Sequence, residues 1–421
     1  MLYERWLRVA GPRAGEVALR ELATGRDWTF AQLTQEAEAA VSTTNRIVFP
    51  RGRTADFVIT VMRGWRLGQV VCPLEAEQPE PAVALPPSWC AHLKTTSATS
   101  GAPRMVAFSE EQLAADADNL VETMGLRPDW PNLGLISLAH SYGFSNLVTP
   151  LLLHGIPLII SDSTLPERIR SAGRWAPALT VPAVPALWRA WHDAAAIPDC
   201  VRLAISAGAP MPLELERSIF EKAGLKVHNF YGASECGGIA YDGSSAPRSA
   251  QDEIGPAVRN VSLSVGDDGC LQVRGPAVGE TYWPQASPEL GGGRFVTSDL
   301  AEIKRGIISI KGRIGDRINV AGRKIEPDVV EDAVRGFPGV RECLVFGCPD
   351  GAHGRAESIV AVVQAAASID RGALRDFLLK KLPAWQVPRH WWFVDSLGPD
   401  DRGKMSRATW RRDYLAKRDR Q

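Results

Sequence analysis

The sequence predicts an α/β protein. A large N-terminal domain would carry doubly wound, mostly parallel sheets and a β-rich patch, and a small mobile α+β domain would follow it. Three observations predict this. Short apolar runs alternate with helical segments from Pro131 to Ala223, the pattern of strands joined by covering helices. Beyond Gly255 the runs become shorter and glycine-rich turns separate them. A compact strand-and-helix unit then closes the chain. At 421 residues the chain exceeds what one hydrophobic core usually holds, so the expected domains are residues 1–312 and 313–421.

The elements follow in order. Leu133–Leu138 reads as a strand opening into His140-Ser141-Tyr142-Gly143, and Leu158–Ile160 as a second strand. Pro166–Ala172 reads as a helix, Ala178–Val181 as a strand and Pro185–Ala195 as a helix. The strand Val201–Ile205 runs into Ser206-Ala207-Gly208-Ala209-Pro210, with Leu213–Ala223 helical after it. In such sheets ligands sit at the carboxyl ends of the strands, where these polar and glycine-containing segments fall. The β-rich patch takes Val261–Val265, Cys270–Arg274 and Phe295–Val296, and Ile307–Lys311 with Arg317–Val320 reads as a hairpin. The last unit reads as helix Pro327–Arg335, strands Glu342–Phe346 and Ser358–Gln364, helix Asp370–Leu382 and strand His390–Val394. Pro327 suits a first helical position, Gly336 a C-terminal cap and Asp370 an N-cap, while Pro383 stops the following helix.

Composition excludes several classes. Lys plus Arg equals Asp plus Glu at 48 each, so no global field recruits nucleic acid or an anionic membrane. The longest apolar stretch, Leu147–Ile160, is interrupted by Pro150, His154, Gly155 and Pro157 and falls short of the ~20 residues a bilayer span needs. The charged start, MLYERWLRVAGPR, lacks the apolar core of a secretory signal. Seven cysteines are scattered without a CxxC pair, which predicts reduced thiols in a cytoplasmic protein and no zinc site.

Five segments are candidates for chemistry. Thr95-Thr96-Ser97-Ala98-Thr99-Ser100-Gly101-Ala102-Pro103-Arg104 offers hydroxyls, backbone N–H groups and a terminal guanidinium, the donors that wrap polyphosphate. By itself the segment reads more readily as a solvated linker than as a phosphate cradle. Asn229-Phe230-Tyr231-Gly232-Ala233-Ser234-Glu235 sets a ring, a hydroxyl and a carboxylate at a strand end. Mg²⁺ keeps few protein ligands and shares phosphates, so Glu235 is a candidate metal ligand. Thr297-Ser298-Asp299 and Gly312-Arg313-Ile314-Gly315-Asp316 read singly as charged turns. Finally, GPDDRGKM at 398–405 fits the P-loop spacing, yet Met405 stands where the Mg²⁺-binding hydroxyl belongs, two aspartates would repel phosphate, and too little chain follows to build the required sheet.

Taken in order, these segments resemble the AMP-forming acyl-CoA synthetase, peptide-synthetase adenylation domain and luciferase superfamily. TSATSGAPR stands where that family has TSGTTGxPK. Tyr231–Glu235 matches YGxTE, Thr297–Asp299 matches TGD, GRIGDRINVAGRKIEP matches GRxDDxIKxxGxRIEP, and Gly403–Arg407 matches GKxxR. The resemblance covers roughly residues 90–410 and implies a two-step ligase. ATP and a small carboxylic acid would give an acyl-adenylate and pyrophosphate, and CoA or a carrier-protein phosphopantetheine would then displace AMP. Amide formation, ring closure of the adenylate and a non-catalytic acyl- or nucleotide-binding relative are the alternatives.

The roles are carried over residue by residue. Thr96, Ser97, Thr99, Ser100, Gly101 and Arg104 would hold the β- and γ-phosphates, Glu235 the Mg²⁺, and Ser234 the α-phosphate. Tyr231 would stack on adenine, with Gly208, Ala209, Asn229 and Gly232 around it, while Asp299 and Arg313 would take the ribose. Lys404 would bridge the acid and ATP, stabilising charge that develops at the reacting oxygens. His140, Tyr142, Trp188, Ser206 and Gly237 would form the acyl pocket, with His140 also a candidate catalytic group. The small domain would turn about Gly315, bringing Lys404 in for adenylation and the segment near Gly322 in for transfer. Ala98, Arg104, Ser298, Gly315 and Asn319 depart from the family pattern. The stretch before the phosphate loop is short for the family, which implies either a more open acyl pocket or a homodimer interface.

Overall fold

The computed structural model describes residues 1–39, 45–95, 104–316, 318–320, 323–325, 327–349, 357–365, 369–397 and 407–418. An eight-stranded sheet forms the centre. Its neighbours run Gly237–Tyr241, Val227–Ala233, Val201–Ser206, Leu179–Ala183, Asn132–Gly134, Leu158–Ile160, Val17–Glu21 and Arg26–Thr29. The inner pairings are parallel and both edge pairings antiparallel. Inner strands are apolar almost throughout, as at Leu179–Ala183, which is buried along its whole length. Sheets covered on both faces demand such continuous runs.

A second sheet orders Thr281–Trp283, Met105–Phe108, His92–Thr95, Val70–Val71 and Ile47–Val48. It brings together the two strands that flank the serine- and threonine-rich loop. A capping box, Ser109 with Gln112, starts the long helix Glu110–Met124 directly after that sheet. The β-rich patch is an antiparallel sheet running Glu253–Gly255, Ile307–Arg313, Arg294–Lys304, Cys270–Arg274 and Ser262–Val265.

Two sequence expectations need correction here. Ile307–Arg313 does not form a hairpin with residues 317–320. It pairs back along the eleven-residue strand Arg294–Lys304 through the turn at Arg305-Gly306, and Ile318–Val320 pairs instead with Arg323–Ile325. Gly306, at φ +80°, supplies the left-handed turn that closes the real hairpin. The expected strand Leu133–Leu138 is shorter, Asn132–Gly134.

The last unit has a three-stranded sheet of Val340–Pro349, Glu357–Ala365 and His390–Val394. Its period-2 alternation sends Cys343 and Val345 to one face, against the helices Pro327–Arg335 and Arg371–Leu379. Leu344 and Phe346 go to the other face, against Trp410 and Tyr414 of the helix Arg407–Arg418. Arg407 ties this unit together: it pairs with Asp316 at 2.8 Å, with Glu331 at 2.9 Å and with Asp328, and donates to the Val345 carbonyl at 3.2 Å. Asp316 is the residue after Gly315, so the expected hinge and the start of the final helix share one ion-pair network. Among the described residues no helix is long and apolar enough to cross a membrane.

Candidate active site

The carboxyl ends of the central strands carry the predicted site. Ser206 and Asn229 are register partners on neighbouring parallel strands. Ser206 is fully buried and its hydroxyl has no hydrogen-bond partner among the described residues, while Asn229 donates to the Glu253 carbonyl at 3.4 Å. Gly208 follows at φ +86°, turning the chain at the strand end with Ala209.

Two residues beyond Asn229, Tyr231 donates its hydroxyl to Asp299 Oδ2. Arg313 Nε lies 2.7 Å from Asp299 Oδ1. Asp299 and Arg313 are register partners across the antiparallel pair that the corrected hairpin creates, so the sheet itself sets their spacing. Thr297 fixes the bend by accepting the Asp299 N–H at 3.0 Å. Burial, followed by the Asp299 charge, pushes the Tyr231 phenol far above its ordinary value, so it remains a donor. One carboxylate thus accepts from a phenol and a guanidinium at the junction of two sheets.

The tight turn after Tyr231 has room only for glycine at two places. A Cβ on Gly232 would meet the Gly237 carbonyl at 2.7 Å, and one on Gly237, at φ +68°, would meet Asp116 Oδ1 at 2.0 Å. This turn presents Ser234 and Glu235, both half-buried. The Tyr282 hydroxyl donates to Glu235 Oε1 at 3.1 Å, and the Arg104 guanidinium stands 4.5 Å over the Tyr282 ring.

Beneath the turn lies a buried pair that sequence reasoning missed. Lys94 and Asp116 are each 4% exposed, and Lys94 Nζ is 3.9 Å from Asp116 Oδ2. Asp116 also accepts from Ser145 Oγ at 2.6 Å and from the Gly238 N–H at 3.0 Å. Burial pulls the Lys94 ammonium below its ordinary value against the pull of Asp116. A signal for it was present: Asp116 falls among the buried positions Leu113, Ala117 and Leu120 of its helix, where a charge requires a partner.

On the acyl side, His140 precedes the short turn Ser141–Gly143. Tyr142 packs near Phe230, centroids 6.0 Å apart, and its hydroxyl lies 3.4 Å from the carbonyls of Ala183 and Ile205. Trp188 is 1% exposed inside the core, with its indole N–H on the Ile205 carbonyl at 3.1 Å. Like Ser206, it is closed off by packing. Thr96, Ser97, Thr99, Ser100, Gly101, Gly322 and Lys404 lie outside the described residues. Gly315 sits in the turn Ile314–Asp316 that follows the Arg313 strand.

The AMP-binding enzyme family model matches residues 34–283, and that for the AMP-binding enzyme C-terminal domain matches 329–404. The chain belongs to the AMP-binding enzyme family. It is 28% identical over 345 residues to a feruloyl-CoA synthase of Amycolatopsis sp, covering 76% of this chain and 69% of the relative. Triostin synthetase I of Streptomyces triostinicus is 26% identical over 353 residues, covering 79% and 66%. The fold matches ATP-bound MatB from Rhodopseudomonas palustris at a TM-score of 0.85, with 21% identity and 98% of both chains covered. This AMP-binding enzyme is therefore an AMP-forming acid–thiol ligase by family: ATP and a carboxylic acid give an acyl-AMP, and acyl transfer to a thiol follows.

Proposed function

We propose that the chain activates a small carboxylic acid as its adenylate and passes the acyl group to CoA or to a carrier-protein phosphopantetheine, in the cytoplasm. One observation carries this reading. The turn from Tyr231 to Glu235 joins, within five residues, a carboxylate–guanidinium–phenol cluster at Asp299 and a carboxylate–phenol–guanidinium cluster at Glu235. The first suits a nucleoside and the second a phosphate chain with its cation.

In this reading Asp299 and Arg313 take the ribose hydroxyls, and Tyr231 offers its ring to adenine beside Gly208, Ala209, Asn229 and Gly232. Arg104 and the hydroxyls of Thr96, Ser97, Thr99 and Ser100, with the Gly101 backbone, hold the terminal phosphates, while Ser234 reaches the α-phosphate. Glu235 fits Mg²⁺: it is an oxygen donor with one oxygen already oriented by Tyr282, and Mg²⁺ accepts one or two protein carboxylates. The ion would neutralise phosphate charge. His140, Tyr142, Ser206 and Gly237 border the acyl group. The buried, unpartnered Ser206 hydroxyl supports a polar contact there, since buried donors seek partners. Attack of the carboxylate on the α-phosphate is mainly a matter of positioning and charge, and Lys404 supplies the cation at the reacting oxygens. The small domain, residues 313–421, turns about Gly315 between the two steps.

The test supplies ATP, Mg²⁺ and a panel of aryl, short and long acids with CoA, with a phosphopantetheinylated carrier, or with an amine. The expected result is acid-dependent AMP release with a thioester product. AMP release with an amide, or with no thioester on either thiol, overturns the acceptor assignment. Sedimentation of the same preparation reads out whether the chain is a homodimer.

A further inference from the structure

Tyr282 belongs to none of the segments that the sequence marked for chemistry, yet it touches two of the groups that the proposed site needs. It lies on Thr281–Trp283, which pairs antiparallel with Met105–Phe108, Tyr282 opposite Val106. That partner strand begins immediately after Arg104. Tyr282 is 6% exposed, so the ring is fixed by packing as well as by the ladder.

The segment before it grips Glu235 a second time. Gly279 donates its N–H to the Glu235 carbonyl at 2.8 Å, and Glu280 donates to the Ala107 carbonyl at 2.9 Å. A Cβ on Gly279 would come within 2.5 Å of Val106 Cγ1 and 3.1 Å of the Glu235 carbonyl oxygen. Only glycine lets the backbone approach this closely. Glu235 is therefore held through its backbone by Gly279 and through Oε1 by the Tyr282 hydroxyl.

We propose that Tyr282 is a positioning residue for adenylate formation, its hydroxyl setting the Glu235 carboxylate toward the cation and its ring face seating Arg104 toward the phosphates. The inference rests on the reading of Glu235 and Arg104 given above. Its physical content is the separation of two opposite charges. A carboxylate and a guanidinium that approach one another form a bidentate pair and satisfy each other. Here the guanidinium engages the ring face, a cation–π contact, and the carboxylate engages the hydroxyl at the ring edge. Occupying Oε1 leaves Oε2 to face a metal, and the ring face fixes where the guanidinium lies. Strand pairing to Met105–Phe108 then makes the two groups move together.

The experiment compares full-length wild type, Tyr282→Phe and Tyr282→Leu by two binding readouts and melting temperature. Mn²⁺ binding in the presence of ATP is followed by electron paramagnetic resonance, and ATP binding without metal by calorimetry. Tyr282→Phe keeps the ring and loses the hydroxyl. It is expected to raise the half-saturating Mn²⁺ concentration about 10-fold, the scale of one hydrogen bond to a charged group, with metal-free ATP binding unchanged. Tyr282→Leu also loses the ring face and is expected to weaken metal-free ATP binding by ~3-fold. Wild-type Mn²⁺ affinity in Tyr282→Phe overturns the proposal while leaving the reading of the site intact. A lowered melting temperature with both affinities unchanged overturns it in the same way. A wild type that binds no Mn²⁺ with ATP overturns the reading of Glu235 and the proposal with it.

Discussion

Arg248→Ala is expected to destabilise the N-terminal domain by about 3–5 kcal/mol, the cost of leaving a buried charge without its partner. Arg248 is 6% exposed and Glu216 0%. Arg248 Nε reaches Glu216 Oε2 at 2.7 Å, and its other nitrogens donate to the carbonyls of Met211 and Glu253, each at 2.7 Å. Lys226 closes the group, bonding Glu216 and lying 2.5 Å from Asp242 Oδ2. Two acids and two bases balance in this cluster, so deleting one base leaves a net negative charge in the core and backbone acceptors without donors. Denaturant unfolding measures the loss. Arg248→Lys, which keeps the charge and loses the fork, should fall between the two.

The same cluster predicts an acid limb. Burial raises the Asp242 carboxyl, but the hydrogen bonds from Lys226 and Ser244 outweigh it and the net direction is downward. A carboxyl depressed in the folded state contributes stability above its unfolded value and loses it as pH falls through the folded value. Wild type should therefore lose stability below the ordinary carboxylate range, and Asp242→Asn should lack that part of the slope. A variant with an unchanged acid limb would show that Asp242 is not paired as described.

The second large effect falls on function. Asp299→Asn is expected to lower kcat/KM for ATP about 100-fold, roughly 2.7 kcal/mol of transition-state stabilisation. The substitution keeps the shape but removes the charge that faces Arg313, and the amide cannot accept from phenol, guanidinium and ribose together. The loss should appear in the ATP dependence of AMP release. An unchanged ATP dependence would remove Asp299 from the nucleoside site.

The residues that share a local segment were legible in the sequence. The Tyr231–Glu235 turn, Asp299 and Arg313 could be picked out as candidates, but singly they read as ordinary turns, and only their order along the chain, through the family resemblance, gave them roles. The strands Leu158–Ile160 and His390–Val394 and the helices Leu213–Ala223 and Pro327–Arg335 have the expected limits, and Gly224, at φ +63°, ends the first of these helices. What stayed hidden depends on tertiary path. Asp116 meets Gly238 across 122 positions, and Tyr282 meets Glu235 across 47, separations that no local period records. The hairpin at Ile307 was misread for a related reason: Phe295–Val296 showed only the apolar part of an eleven-residue strand whose polar remainder carries Asp299.

Acid-dependent exchange of labelled pyrophosphate into ATP tests the central claim most directly, because it reports the adenylation step without the acceptor. Wild type should exchange with at least one acid of the panel, and Lys404→Ala should exchange at least ~100-fold more slowly, the equivalent of about 2.7 kcal/mol in the barrier. Absence of exchange with every acid would contradict the ligase account, and full exchange in Lys404→Ala would contradict the role given to that lysine.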